Sequence, residues 1–342
     1  MSTRFDNIIG NGSLRHRMAQ DIDLGTLAHA YIVEGPAGSG RRTLTLSVIC
    51  AIACENRGKS CDTPCGKCKS CKKILEKNSP DVIFVGLESD RVTIGVDTVR
   101  AIKEDVYTEP NDLSIKAYII EDADTMTEQA QNAFLLLLES PPPYAVFFLI
   151  CKNSTSLLET VRSRAPTLRL ERLPLDDVKS YLLKNEKRAA TLYEENPHEL
   201  ELAVFCGEGS IGASLALLDG RRRASLMESR ETVRRMISLL GGRNKAAAFE
   251  MITLFGNKRA EIARRLSQLQ IALRDLIMLK KSDSTPLCFF EDRDEAAELS
   301  TSFSSTSLFA LYDAAGEAIS ALEANANVRL TLIGMMQRAS II

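Results

Sequence analysis

The sequence predicts an α/β domain built on a mostly parallel sheet, followed by two all-α domains. Three observations predict it. A glycine-rich loop, Gly35-Pro36-Ala37-Gly38-Ser39-Gly40-Arg41-Arg42, sits between an apolar strand and an apolar helix. Short apolar runs alternate with helical periodicity as far as about residue 170, a pattern that calls for parallel strands covered on both faces. Past that point the strand patterns stop and helical spacing alone continues,. At 342 residues the chain also exceeds what a single core organises,.

The elements follow in order. Ala30-Tyr31-Ile32-Val33-Glu34 is the first strand, and residues 43–53 carry apolar side chains at helical spacing. Asp81-Val82-Ile83-Phe84-Val85 is the second strand, and residues 94–102 open a helix. Ala117-Tyr118-Ile119-Ile120 is the third, running into Glu121-Asp122-Ala123-Asp124. The next helix extends through Leu138 and is closed by Glu139-Ser140-Pro141-Pro142-Pro143, because proline cannot continue it. Val146-Phe147-Phe148-Leu149-Ile150 is the fourth strand. Helical spacing then marks residues 178–185, 197–205 and 210–218, and longer stretches at 226–240, 245–281 and 305–342. Arg221-Arg222-Arg223 lies between the two groups, as a basic patch for DNA or a partner, or as a solvated linker,.

A working phosphate loop has the form G-x-x-x-x-G-K-[ST]. Its backbone N–H groups cradle phosphate, its Lys reaches the β/γ-phosphates and its hydroxyl holds Mg²⁺. The frame of Gly35, Gly38 and Gly40 is intact here, but Arg41 stands at the Lys position and Arg42 at the hydroxyl position. A guanidinium has no acceptor lone pair, so Arg42 cannot ligate a metal. The loop predicts a module that does not hydrolyse ATP. Whether it binds ATP or ADP is open: the glycines and the helix N-terminus can take an anion, and the two arginines can instead fill the space themselves.

Five of the nine cysteines fall between Cys54 and Cys71. Cys65, Cys68 and Cys71 stand at C-x₂-C-x₂-C spacing, which suits tetrahedral zinc,. The fourth ligand must be Cys54 or Cys61. Four thiolates leave no open position, so the zinc is structural. Lys59, Lys67, Lys69, Lys72 and Lys73 make this segment basic, as a solvated face or as a set of DNA phosphate contacts,. Cys50, Cys151, Cys206 and Cys288 stand alone in apolar surroundings and read as small core residues,.

Lys and Arg number 43 against 45 Asp and Glu, a formal charge of −2, so any DNA contact must come from local patches or partner chains,. No run approaches the ~18 apolar residues of a membrane span. The first residues, Met1 to Asn7, lack the apolar segment of a secretory signal,. A cytoplasmic location with no membrane partner is expected.

Together these segments resemble the bacterial clamp-loader AAA+ family of DNA polymerase III. The likeness is carried by His29-Ala30-Tyr31 before the loop, the cysteine insertion after the loop helix, and Ala130-Gln131-Asn132-Ala133-Phe134-Leu135 with Leu138-Glu139-Ser140-Pro141-Pro142. It continues in Leu157-Leu158-Glu159-Thr160-Val161-Arg162-Ser163-Arg164-Ala165, similar to the family's Ser-Arg-Cys segment with Ala165 for Cys, and in Asn325-Ala326-Asn327-Val328-Arg329-Leu330. The resemblance implies an AAA+ RecA-like domain at 1–170 with a zinc module at 54–71, a helical lid at 171–223, and a helical collar domain for oligomerisation at 224–342. It selects Cys54 as the fourth zinc ligand, with Cys61 as the alternative.

The family's Asp-Glu pair, which holds Mg²⁺ and polarises water, is matched by the inverted pair Glu121-Asp122, and its next acidic position by Asp124. Read on their own, these three carboxylates cap the following helix. Gly212 stands where active relatives carry an Arg that reaches the γ-phosphate. Arg164 is implied to reach the ATP of a neighbouring subunit as an arginine finger; read alone, it is a salt bridge within its own domain. The implied function is a non-hydrolysing stator of the DNA polymerase holoenzyme's clamp loader. Its partners are the gamma/tau and delta subunits and, through the assembled complex, the sliding clamp and primed DNA. The alternatives are a catalytically active, gamma/tau-like loader ATPase and a zinc-dependent DNA-binding module.

Overall fold

The structure is a computed structural model and describes residues 5, 8–57, 64–87, 92–241, 245–256, 258–282, 287–290, 292–324 and 326–338. The chain divides into two compact units: Met1–Val178 with Glu208–Ala213, and Lys179–Gly207 with Ser214–Ile342. Among the described residues no helix is long and apolar enough to cross a membrane.

The first unit runs α1 (Gly12–Leu24), β1 (Ala30–Glu34), α2 (Arg41–Ala53), α3 (Lys69–Leu75), β2 (Val82–Val85), α4 (Val96–Asp105), β3 (Lys116–Ile120), α5 (Glu128–Glu139), β4 (Ala145–Cys151), α6 (Glu159–Arg162) and β5 (Thr167–Arg169). The five strands form one parallel sheet in the order β2-β3-β4-β1-β5. β1 lies between β4 and β5, pairing Ala30 with Phe147 and Ile32 with Thr167. The loop after β1 therefore emerges inside the sheet's edge strands, beside the C-terminal ends of its neighbours, where open parallel sheets hold ligands.

Successive strand residues point to opposite faces, and the two adjacent phenylalanines of β4 show it. Phe148 stacks on Tyr31, centroids 5.6 Å apart, in the layer under α1, α2 and α3. Phe147 stacks on Tyr118 at 5.4 Å and meets Phe134 of α5 edge-on at 5.4 Å, in the layer under α4, α5 and α6. Each buried ring contributes roughly 2–3 kcal/mol over leaving it in water, and aromatic contacts of this kind add about 1 kcal/mol. At the sheet's β2 edge the buried carboxylate of Asp81 accepts N–H bonds from Asn111, Asp112 and Leu113 at 2.7, 2.6 and 2.8 Å.

The remaining elements are helices: α7 (Leu175–Asn185), α8 (Lys187–Glu195), α9 (Pro197–Cys206), α10 (Ile211–Leu217), α11 (Gly220–Gly241), α12 (Lys245–Leu254), α13 (Arg259–Leu279), α14 (Arg293–Thr301), α15 (Ser305–Glu323) and α16 (Val328–Arg338). α7 and α10 each begin in the first unit and end in the second. In the second unit, Ile262, Leu266, Leu269, Leu273 and Leu276 form a fully buried stripe along α13, the spacing of one helix face.

Three sequence readings are revised. The stretch 245–281 is two helices, α12 and α13, because the chain turns at Gly256 with φ +79°. The stretch 305–342 likewise parts into α15, which ends at Glu323, and α16, which begins at Val328. The backbone of Arg221-Arg222-Arg223 belongs to the first turn of α11, so it is helix rather than linker. The sequence reading did not anticipate α1, α3, α6, α8, α14 or the three-residue strand β5.

Candidate functional site

The phosphate loop folds as its glycines dictate. Gly38 and Gly40 have φ of +74° and +92°, conformations that residues with a Cβ avoid, and Gly40 leads directly into α2,. The loop borders a cleft of about 380 Å³ lined by Gly38, Gly40, Arg41, Arg42, Glu121 and Gly212 among others. Segment 208–213 returns to close one side of it. The Gly212 N–H donates to the Gly38 carbonyl at 3.0 Å, and the Ser210 hydroxyl donates to the Ala37 carbonyl at 3.0 Å. A Cβ on Gly212 would lie 2.9 Å from both the Cα and the carbonyl oxygen of Gly38. No side chain, least of all an arginine, fits at 212 unless this backbone contact opens.

The two loop arginines differ. Arg42 donates from Nε to Glu121 Oε1 at 2.5 Å, its Nη2 bonds the same carboxylate, and its guanidinium lies over the Phe84 ring, 5.6 Å from the centroid. Guanidinium and carboxylate meet as a two-point fork, the strongest geometry for such a pair. Glu121 is thereby neutralised by a cation fixed to the protein, in the place where a Mg²⁺ site would need a free carboxylate and a hydroxyl. The residues present do not fit Mg·ATP. Arg41 instead has a buried Nη1 without a hydrogen-bond partner, and Ser39 Oγ and Asp124 Oδ1 are likewise buried and unpaired. The loop thus has unpaired donors on Arg41 and Ser39 to offer an anion, and among the described residues no group of three or more metal-ligating side chains gathers at the cleft.

The helix-capping role read for Glu121, Asp122 and Asp124 is corrected. Thr127 caps α5, its hydroxyl accepting from the Ala130 N–H at 3.2 Å. Asp122 sits at φ +50° and makes no side-chain cap.

Arg164 follows α6 at the far end of the same domain. Its Nη1 donates to the Thr160 carbonyl at 3.0 Å and its Nη2 to Glu139 Oε1 at 2.6 Å. The side chain keeps 37% of its surface exposed. Gln131, buried on α5, holds this region together: its amide N–H groups donate to the Met126 and Ser156 carbonyls, and its Oε1 accepts from the Leu158 N–H at 2.7 Å.

At the other end of α2 the sulfur atoms of Cys54, Cys65, Cys68 and Cys71 lie within 4.8 Å of one another. Cys61 lies outside the described residues. Backbone N–H groups of Cys68 and Cys71 donate to the sulfurs of Cys65 and Cys68, both at 3.4 Å, and Asn56 Nδ2 donates to Cys65 at 3.5 Å. Burial works to raise the Cys65 thiol, but the N–H groups of Lys67 and Cys68, with Asn56 and the Cys54 thiol, outweigh it and bring it down to about 6. Cys54 is pushed up to about 12, mainly by burial. The arrangement can hold a tetrahedral ion through four sulfurs. Cys50, read as a simple core residue, is buried directly behind it: its Sγ donates to the Cys71 carbonyl and Cys71 Sγ to the Cys50 carbonyl, both at 3.8 Å. Cys151 is buried as expected and pushed up to about 12 by burial, whereas Cys206 and Cys288 are only half-buried. Asn325 of the C-terminal segment lies outside the described residues, as do Lys59 and residues 1–4 and 6–7.

A parallel sheet with a glycine loop between its inner strand and the following helix defines a protein of the phosphate-loop α/β class. Residues 10–174 match the family described as DNA polymerase III, delta subunit, and over this segment the chain is similar to bacterial clamp-loader subunits. The DNA polymerase III subunit delta' of Haemophilus influenzae is 33% identical over 171 residues, covering 50% of this chain and 51% of its own length. The tau subunit of Bacillus subtilis (strain 168) is 27% identical over 216 residues, covering 63% of this chain and 37% of its own length. The aligned parts span between 32% and 66% of the length of the first curated relatives. Among solved structures, a gamma subunit-related protein from Thermotoga maritima aligns over 94% of this chain and 98% of its own at 20% identity and a TM-score of 0.45.

Proposed function

We propose that this chain is a delta-prime subunit, the non-hydrolysing stator of the bacterial DNA polymerase III clamp loader. In this reading it presents Arg164 to the ATP bound by an adjacent gamma/tau subunit. With gamma/tau and delta it helps place the sliding clamp on primed DNA, in the cytoplasm. The observation that carries the reading is the state of the phosphate cleft: Arg42 is locked onto Glu121, and the Gly212 backbone is pressed onto Gly38. A chain whose own site lacks a metal ligand set contributes to ATP hydrolysis through what it offers a neighbour, and Arg164 is an exposed arginine at the Ser-Arg position of the family's matching segment.

The division into a RecA-like domain at 1–170, a lid at 171–223 and a collar at 224–342 belongs to the same proposal. So does a structural zinc on Cys54, Cys65, Cys68 and Cys71, supported by their clustered sulfurs. The second reading, an active gamma/tau-like ATPase, draws on the relatives named tau and gamma.

The test is ATP hydrolysis by the loader's gamma subunit, measured alone, with this chain, and with Arg164→Ala. The chain alone is expected to be inert, the wild type to stimulate, and Arg164→Ala to lose ~10²-fold or more of the stimulated rate, since such fingers supply ~10³–10⁵ in rate. Turnover by the isolated chain, with stimulation untouched by Arg164→Ala, would replace the stator with the active ATPase.

A further inference from the structure

We propose that Glu139 is the positioning residue for Arg164, fixing its guanidinium so that the remaining N–H groups face outward already aligned. This rests on the reading of Arg164 as a finger acting on a neighbour. The geometry is specific. Arg164 spends one N–H of Nη2 on Glu139 Oε1 at 2.6 Å and one of Nη1 on the Thr160 carbonyl at 3.0 Å. Among the described residues Nε and the other Nη hydrogens have no acceptor, which leaves a planar set of donors for a phosphate oxygen.

The pair does not explain itself as a stability device. Glu139 and Arg164 are 48% and 37% exposed, and exposed ion pairs contribute little to folding. What distinguishes it is the rigidity of its supports. Glu139 is the last residue of α5, followed at Pro141 by residues that stop the helix,. The preceding carbonyl, of Leu138, accepts from His29 Nε2 at 2.9 Å, so the helix end is pinned to the start of β1. Gln131, two turns earlier, clips α5 to residues 156–158, from which α6 and Arg164 continue. Carboxylate and guanidinium are therefore mounted on one rigid segment. Donors held in place before the charge develops stabilise it without reorganising, and a displacement of ~1 Å can cost two orders of magnitude.

The experiment measures gamma-subunit ATPase stimulated by the full chain carrying Glu139→Ala, Glu139→Gln, Arg164→Ala, or Glu139→Ala with Arg164→Ala. Co-elution with the gamma subunit serves as the assembly control. Glu139→Ala is expected to lower the stimulated kcat roughly tenfold, in line with partial misplacement, with the KM for ATP unchanged. Glu139→Gln, which keeps the acceptor oxygen, is expected to recover most of the rate. In the Arg164→Ala background Glu139→Ala is expected to change nothing, because its effect passes through the arginine. An unchanged or raised rate with Glu139→Ala overturns the positioning role while Arg164→Ala still abolishes stimulation. An equal loss from Glu139→Ala with and without Arg164 also overturns it, as a merely structural effect. Stimulation that survives Arg164→Ala removes the finger itself and the proposal with it.

Discussion

The two ends of helix α2 carry opposite outcomes of the same chemical test. At its N-terminus a phosphate loop keeps every glycine of its frame, yet the positions that do the chemistry hold Arg41 and Arg42. At its C-terminus Cys54 completes a set of four sulfurs within 4.8 Å, with nothing missing. The difference teaches what each site demands. Glycines at +74° and +92° are required by the turn itself and persist whether or not a ligand comes,. A four-thiolate site has no such second purpose and is useful only when complete. A glycine frame is therefore weak evidence of function, and a full ligand set is strong evidence.

The sharpest way to break this contrast is to remove a sulfur. Cys68→Ser is expected to take the chain from about one zinc to almost none by elemental analysis, forfeiting a large part of the roughly 10–16 kcal/mol that structural zinc sites supply. The ligands must be deprotonated to bind, so retention against a chelator should fall as pH drops from roughly 8 to about 6. Of the four thiols Cys65, brought down to about 6, holds its proton least tightly, while those of Cys54, Cys68 and Cys71 are raised. A chain that holds no zinc at any pH would bring the two ends of α2 level.

Next in size, Gly212→Ala should destabilise the first unit by about 1–3 kcal/mol in urea unfolding, because its methyl would sit 2.9 Å from the Gly38 backbone. A neutral result would mean that the loop is not closed. Glu121→Ala should cost under about 1 kcal/mol, since the pair is partly exposed,. It should also raise sulfate affinity several-fold by releasing the Arg42 guanidinium, a change that calorimetry reads. The least effect is expected from the repair double Arg41→Lys with Arg42→Thr. It restores the loop's side chains but leaves Gly212 bonded to Gly38, so tight Mg·ATP binding should not appear. Micromolar binding would show that two side chains alone had silenced the loop.

The sequence made legible what depends on neighbours along the chain. The strand-loop-helix around Gly35 to Arg42 could be read because turn glycines and apolar periodicity are local signals. The C-x₂-C-x₂-C run was legible for the same reason. β5 was not, because Thr167–Arg169 is too short to show a period of two. α1 was missed because only Leu14, Met18 and Ile22 of its 13 residues are buried, a thin apolar stripe. The decisive contacts at the cleft join residues distant in sequence. Arg42 meets Glu121 across 79 positions and Ser210 meets Ala37 across 173. No periodicity encodes such pairings, so an acidic residue read as a helix cap proved to be an arginine's counter-ion.

The carboxylate of Asp81 has a consequence in time rather than in energy. Three consecutive amides, of Asn111, Asp112 and Leu113, converge on it while it sits buried at the edge of the sheet. Amides in a surface connection ordinarily trade their hydrogens with water quickly, since opening one bond frees one site. Here a single event, withdrawal of one side chain from beneath β2, must release all three together. In deuterium exchange this connection should therefore take up label as one slow step, with the rhythm of the neighbouring strands rather than of a loop.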